Sequence, residues 1–291
     1  MFKALITLLV TLPVAAFAAD SGSEYFYQAG EGQHEVTPGF TYQTGNIKGT
    51  GFDVDITGTI LGVGYEYGLM PELSLGAELS YSSVKSDDGT NSSTDSGLEN
   101  IDLLVKATMP AGPGALKYGA TLSFSPGDYT VDSSGDGNAY TGGHSLTPYV
   151  GYEMTADACT FGAKLSTEVG LTDEATDDEN NTPNKSENSG GQQTVFSFFY
   201  EHKFSEDMKL GASLDWITTA DDKVTPEGGT ATTSENLTPN QRLSVYLPTK
   251  LGEGTLLPTL TYTMTTDDDV DGTKYDSLSI IGVQVGYRMM F

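Results

Sequence analysis

The stretch Ser277-Leu278-Ser279-Ile280-Ile281-Gly282-Val283-Gln284-Val285-Gly286-Tyr287-Arg288-Met289-Met290-Phe291 decides the fold. Ile281, Val283, Val285, Tyr287, Met289 and Phe291 recur at strict two-residue spacing, and Gly282, Gln284, Gly286, Arg288 and Met290 fill the alternate positions. An extended strand sends successive side chains to opposite faces, so this segment has one apolar face and one mostly polar face.

The same alternation recurs backwards along the chain. Leu256, Pro258, Leu260, Tyr262 and Met264 share a face, as do Leu243, Val245 and Leu247, and Phe196, Phe198 and Tyr200. Further segments carry Leu146, Val150 and Tyr152, then Ile101, Leu103 and Val105, then Leu73, Leu75, Leu79 and Tyr81. The whole pattern predicts about twelve strands, an even number as bacterial barrels require. One segment changes phase. Phe52, Val54 and Ile56 are even-numbered, whereas Leu61, Val63, Tyr65 and Tyr67 are odd. A β-bulge at Gly58 is the expected cause.

Connections alternate in length. Met70-Pro71-Glu72, 110–115, 155–158, 205–208 and 248–254 are short, while 85–97, 126–143, 171–191, 219–235 and 265–276 are long. Membrane barrels have short periplasmic turns and longer extracellular loops, which places both ends of the barrel on the periplasmic side. The expected fold is therefore all-β, a transmembrane antiparallel up-and-down barrel spanning 34–291. A soluble sandwich would bury its apolar faces in a core. The apolar face here is long and returns on every strand, which suits lipid contact, and closure removes the unpaired edges that hydrocarbon cannot solvate. No apolar run beyond the N-terminus reaches the 18 residues of a membrane helix, and a barrel needs only about 10 alternating residues per crossing.

The N-terminus reads differently. Lys3, the apolar run from Ala4 to Val14 and the small-x-small triplet Ala16-Phe17-Ala18 form an export signal, 1–18, cut before Ala19. Residues 19–33 are then expected as a periplasmic segment. The single cysteine, Cys159, excludes an internal disulfide.

Acidic residues outnumber basic ones 40 to 14, which speaks against nucleic acid as a partner. About half of the acids fall in the long loops, among them Asp87-Asp88, Asp173-Glu174 and Asp177-Asp178-Glu179. Such a mouth concentrates cations and disfavours anions, or meets lipopolysaccharide. Asp267, Asp269 and Asp271 resemble the opening of a calcium-binding loop, but Leu278 stands where its glutamate belongs. The positions opposite the apolar face carry a balanced set: Glu66, Glu78, Asp102, Lys106, Lys117, Glu153, Lys164, Glu168, Glu201, Lys203, Lys209, Asp215, Arg242 and Arg288. Charges inside a barrel need water or partners, so this set implies either a wet bore or a salt-bridged one. About twelve strands make a narrow bore.

Catalysis finds little footing. His144 and Ser145 are adjacent and point to opposite faces of a strand, while His34 and His202 fall near the periplasmic rim without a carboxylate at usable spacing. No phosphate loop, zinc spacing or nucleophile elbow is present, and no cofactor is called for.

The terminal strand, with Tyr287, Met289 and Phe291 as its last outward residues, resembles the signature by which the assembly machinery reads bacterial outer-membrane proteins. Over 19–291 the chain resembles the porin-like class of those barrels. Within it, GLENIDLLVKA (97–107), Ser125-Pro126-Gly127-Asp128 and HSLTPYVGYEM (144–154) are similar to transporters named after the MetA pathway of phenol degradation. That resemblance implies passage of small organic molecules. The expected function is a passive channel for small solutes or ions. The rival is a non-conducting structural or surface-interaction barrel. N-terminal sequencing of the exported protein checks the signal: Ala19 is the first residue expected.

Overall fold

Twelve antiparallel strands close on themselves. They are β1 (His34–Gly49), β2 (Phe52–Met70), β3 (Leu73–Asp87), β4 (Ser92–Leu98 and Ile101–Ala111), β5 (Gly114–Phe124) and β6 (Ser145–Ala156). The second half comprises β7 (Cys159–Gly170), β8 (Gln192–Ser205), β9 (Met208–Thr219), β10 (Gln241–Tyr246 and Thr249–Leu251), β11 (Gly254–Val270) and β12 (Thr273–Met290). The computed structural model describes residues 23–127, 129–131, 136–139, 143–171, 173–177, 184–189, 192–220, 222–226, 232–234, 240–270 and 273–291. The expected export signal, 1–18, and residues 19–22 lie outside these.

Each strand pairs with its sequence neighbours, and β12 returns to β1, from Glu35↔Met290 to Gly49↔Tyr275. The ends are sealed by backbone bonds in both directions: the Phe291 N–H donates to the His34 carbonyl at 2.9 Å and the His34 N–H to Phe291 at 3.4 Å. No barrel edge is left to pair with another chain. Tight turns make the short connections possible, with Gly112 (φ 61°) and Gly252 (φ 63°) in the left-handed region that side chains disfavour.

Burial runs opposite to that of a soluble protein. Leu61 is 60% exposed and Val283 47%, whereas Ser74 and Gln43 on the other face are 0% and 1% exposed. The greasy positions face outward and the polar ones inward. Among the described residues no helix is long or apolar enough to cross a membrane, so the strands do the crossing.

The bulge expected at Gly58 is absent. Pairing of β1 with β2 runs without a slip from His34↔Tyr67 to Gly49↔Phe52, and β2 pairs with β3 continuously through Gly58↔Val84. The phase of β2 never changes; its surroundings do. Toward the loop end the even residues Val54 and Ile56 stay buried on the inner face, where Ile56 joins Ile47, Val84, Tyr275, Leu278 and Ile280 in an apolar cluster with Phe52 packed against it. The apolar face moves inside because the strand has left the lipid.

Two of the long connections are also largely strand. β3 continues to Asp87 and β4 starts again at Ser92, and β11 and β12 reach Val270 and Thr273. Tyr129–Val131, Asp173–Asp177, Asn184–Ser189, Asp222–Pro226 and Thr232–Ser234, from three other connections, form a second five-stranded sheet. Paired backbone therefore continues into the connections at this end.

An outward charge tests the orientation of the wall. Val283→Arg, mid-strand on the lipid face, should cost about 2–4 kcal/mol in urea unfolding from phospholipid vesicles. Thr263→Ser on the inner face should be nearly neutral by the same measurement.

Candidate functional site

Residues expected to hang below the barrel instead enter it. From Gln33 the chain doubles back: the Gly32 N–H donates to the Gly68 carbonyl at 2.7 Å and the Gly68 N–H to Gln33 at 3.0 Å. Ser23 to Ala29 then occupy the bore, and Ser23, Glu24, Phe26, Tyr27, Gln28 and Ala29 are all buried. A short segment carrying its own backbone polar groups stays in such a place only if the wall satisfies them.

The wall does so with side chains. Glu201 accepts the Glu24 N–H at 2.9 Å and the Tyr25 N–H at 2.8 Å, and the Tyr246 hydroxyl donates to the same carboxylate at 2.9 Å. Glu66 accepts the Ala29 N–H at 2.9 Å, and the Lys106 ammonium donates to the Tyr27 carbonyl at 3.2 Å. Thr108 donates to Gln28 at 2.6 Å, and the Ser23 hydroxyl donates to Glu153.

Charge and aromatic contacts complete the grip. The Arg288 guanidinium straddles the Glu24 carboxylate, with Nη1–Oε2 at 3.2 Å and Nη2–Oε1 at 3.4 Å, and Lys209 stands 3.9 Å from Oε1. Two-point recognition of this kind fixes orientation as well as charge. Arg288 also lies over the Tyr27 ring at 3.7 Å, and Lys164 over Tyr25 at 5.1 Å. Tyr25 stacks on Phe199 at 4.5 Å and 8°. Two wall glycines make room: a Cβ at Gly68 would overlap the Gly30 carbonyl, and one at Gly151 would overlap the Phe26 ring.

The predicted inner residues separate into groups. Glu66, Lys106, Glu153, Lys164, Glu201, Lys209 and Arg288 contact the segment. Among them and their neighbours, Lys106 pairs with Glu66 at 2.7 Å and Lys117 with Glu153 at 3.0 Å, all four with little exposure. Arg242 pairs with Asp215 at 3.1 Å on the opposite wall. Glu78 and Asp102 sit directly across the β3–β4 ladder from one another, and Glu168 lies on β7, where its register partner on β8 is Gln193. Lys203 does not face the bore proper: it is exposed at the β8–β9 turn and pairs with Glu206 at 2.7 Å. That ammonium holds the Glu206 carboxyl below its ordinary range.

Elsewhere, His34 meets the Tyr65 hydroxyl at 2.8 Å and Tyr67 ring-to-ring at 4.6 Å. His144 accepts the Ser125 N–H at 3.2 Å, and His202 lies 3.4 Å from Cys159 Sγ. Among the described residues none of these rings bonds a carboxylate, and no three potential ligands gather round a metal-sized space. The side chains of Asp267, Asp269 and Asp271 lie outside the described residues.

The role of Glu24 to Ala29 escaped the sequence reading, although Tyr25-Phe26-Tyr27 is an odd run for a solvated linker. Three consecutive aromatics between a signal and a first strand need somewhere dry to go.

Searches with solved structures find the same architecture elsewhere. An outer membrane channel from Pseudomonas putida F1 superposes with a TM-score of 0.65 at 14% identity, covering 94% of this chain and 98% of that one. The chain has the fold of a bacterial outer-membrane β-barrel. The Pseudomonas putida toluene transporter TodX is more distant, with a TM-score of 0.53, 12% identity, and 94% and 96% coverage. No protein-family model and no curated protein matches the sequence.

The grip on the segment is measurable. Glu201→Gln removes a charge-assisted acceptor, so the amide protons of Glu24 and Tyr25 should exchange about 10- to 100-fold faster. Exchange unchanged at those two amides would contradict the geometry.

Proposed function

We propose that this protein is a channel of the bacterial outer membrane that passes small solutes or ions passively and is closed, in this conformation, by its own N-terminal segment. One observation carries the reading: a polar bore filled by a short segment whose backbone and Glu24 are held by wall carboxylates and cations, with Tyr25, Phe26 and Tyr27 packed against wall rings and Leu257. Buried ion pairs gain little over hydrophobic replacements, and the hydrogen bonds and ion pairs that hold the segment's backbone and Glu24 can be taken over by water, which suits a segment that leaves.

The neighbours' fold supports a channel rather than an enzyme. The toluene carried by one of them is consistent with small organic solutes here, and so is the apolar inner cluster around Ile47, Ile56 and Leu278 at the loop end of the bore. The acidic loops would concentrate cations at that mouth. Their influence reaches about 8 Å in physiological salt, so selectivity should weaken as salt rises.

Planar-bilayer recording tests this. The intact protein should conduct rarely. Gly68→Ala, whose methyl collides with the segment's backbone, should raise the open probability at least several-fold and show cation preference by reversal potential. Silence in both proteins would defeat the channel reading. Anion preference would defeat the acidic-mouth part.

A further inference from the structure

The segment is bound as a ligand is bound, and the chemistry of its site names what else would fit. Glu24-Tyr25 presents three features to the wall: backbone N–H groups to Glu201, a carboxylate to Arg288 and Lys209, and an aromatic ring between Phe199 and Lys164. These partners come from β7, β8, β9 and β12, so the site is a property of the closed barrel and outlasts departure of the segment. Arg288 is 2% exposed and its Nε has no hydrogen-bond partner, leaving a donor already aimed into the site. Glu35, buried on the neighbouring β1, has one carboxylate oxygen unpartnered.

We infer that the space occupied by Glu24-Tyr25 is a solute subsite for short peptides carrying an aromatic side chain and a free carboxylate, which enter by replacing the segment. The inference rests on the proposed displacement of that segment. A zwitterionic or singly charged peptide supplies an ammonium or amide N–H for Glu201, a carboxylate for the Arg288–Lys209 pair, and a ring for the slot on Phe199. A simple hydrocarbon satisfies only the last, and an inorganic anion only the second. The segment acts as a tethered competitor, so apparent affinity for a free peptide falls by the fraction of time the site is empty.

The probe is the dipeptide Glu-Tyr, titrated by calorimetry into the intact, detergent-solubilised protein and its Glu24→Gln variant. Loosening the tethered competitor should tighten Glu-Tyr binding about 10-fold. Gln-Ala, lacking both side-chain features, should bind much more weakly to either protein. Arg288→Met should abolish the preference for Glu-Tyr over Gln-Tyr, and Phe199→Ala the preference for Glu-Tyr over Glu-Ala, with circular dichroism confirming an intact barrel. Equal affinity for all four dipeptides, or preferences that survive both substitutions, would overturn the subsite. Conductance of Glu24→Gln read in parallel separates the two claims: a silent variant that still discriminates among dipeptides overturns the gate and keeps the subsite.

Discussion

A peptide group inside hydrocarbon finds no water to bond, and every one left unpaired costs several kcal/mol. That constraint governs the whole molecule. It demands that the sheet close, as it does where His34 meets Phe291, and it demands alternation, because a wall one residue thick must face lipid on one side. Where the constraint lifts, the pattern changes. Past the bilayer the inner face of β1, β2, β3 and β12 becomes apolar, and segments from the loops pair into a sheet of their own.

Closure creates a second problem, an interior lined with charges. The barrel solves it partly within the wall, through Lys106–Glu66, Lys117–Glu153 and Arg242–Asp215, and partly by folding the N-terminal segment inward. Glu24 neutralises Arg288, and Glu201 is satisfied by two amide protons and a tyrosine hydroxyl. The segment and the bore complete one another. This reciprocity makes the N-terminus both an occupant and a guide to what the bore recognises.

A transporting role asks that such an occupant be removable. Its backbone and Glu24 contacts are polar, its rings pack on Phe199 and Tyr246, and its course runs over Gly68 and Gly151, where a side chain on the wall would push it aside. Arg288 lies on β12, which pairs with β1 at the barrel's seam, so the segment's charge is tied to the C-terminal strand. On the proposed gating, thermodynamic linkage follows: anything that competes for Arg288 or Glu201 would shift the segment toward a released state.

Strand existence, strand number and the outward face were all legible in the residues, because a period of two reports directly which side of a thin wall a side chain faces. The inward candidates, Glu66 through Arg288, followed from the same parity, with Lys203 misplaced because parity says nothing about height along the bore. Height also explains the false bulge at Gly58: alternation records side, while the change from lipid to loop depends on how far each strand rises. The segment's place was decided only by the closed barrel. Its partners lie on β2, β4, β6, β7, β8, β9 and β12, up to 264 residues away in sequence, and no local pattern brings Glu24 to Arg288. Three-dimensional closure does, by gathering distant inward residues around one axis.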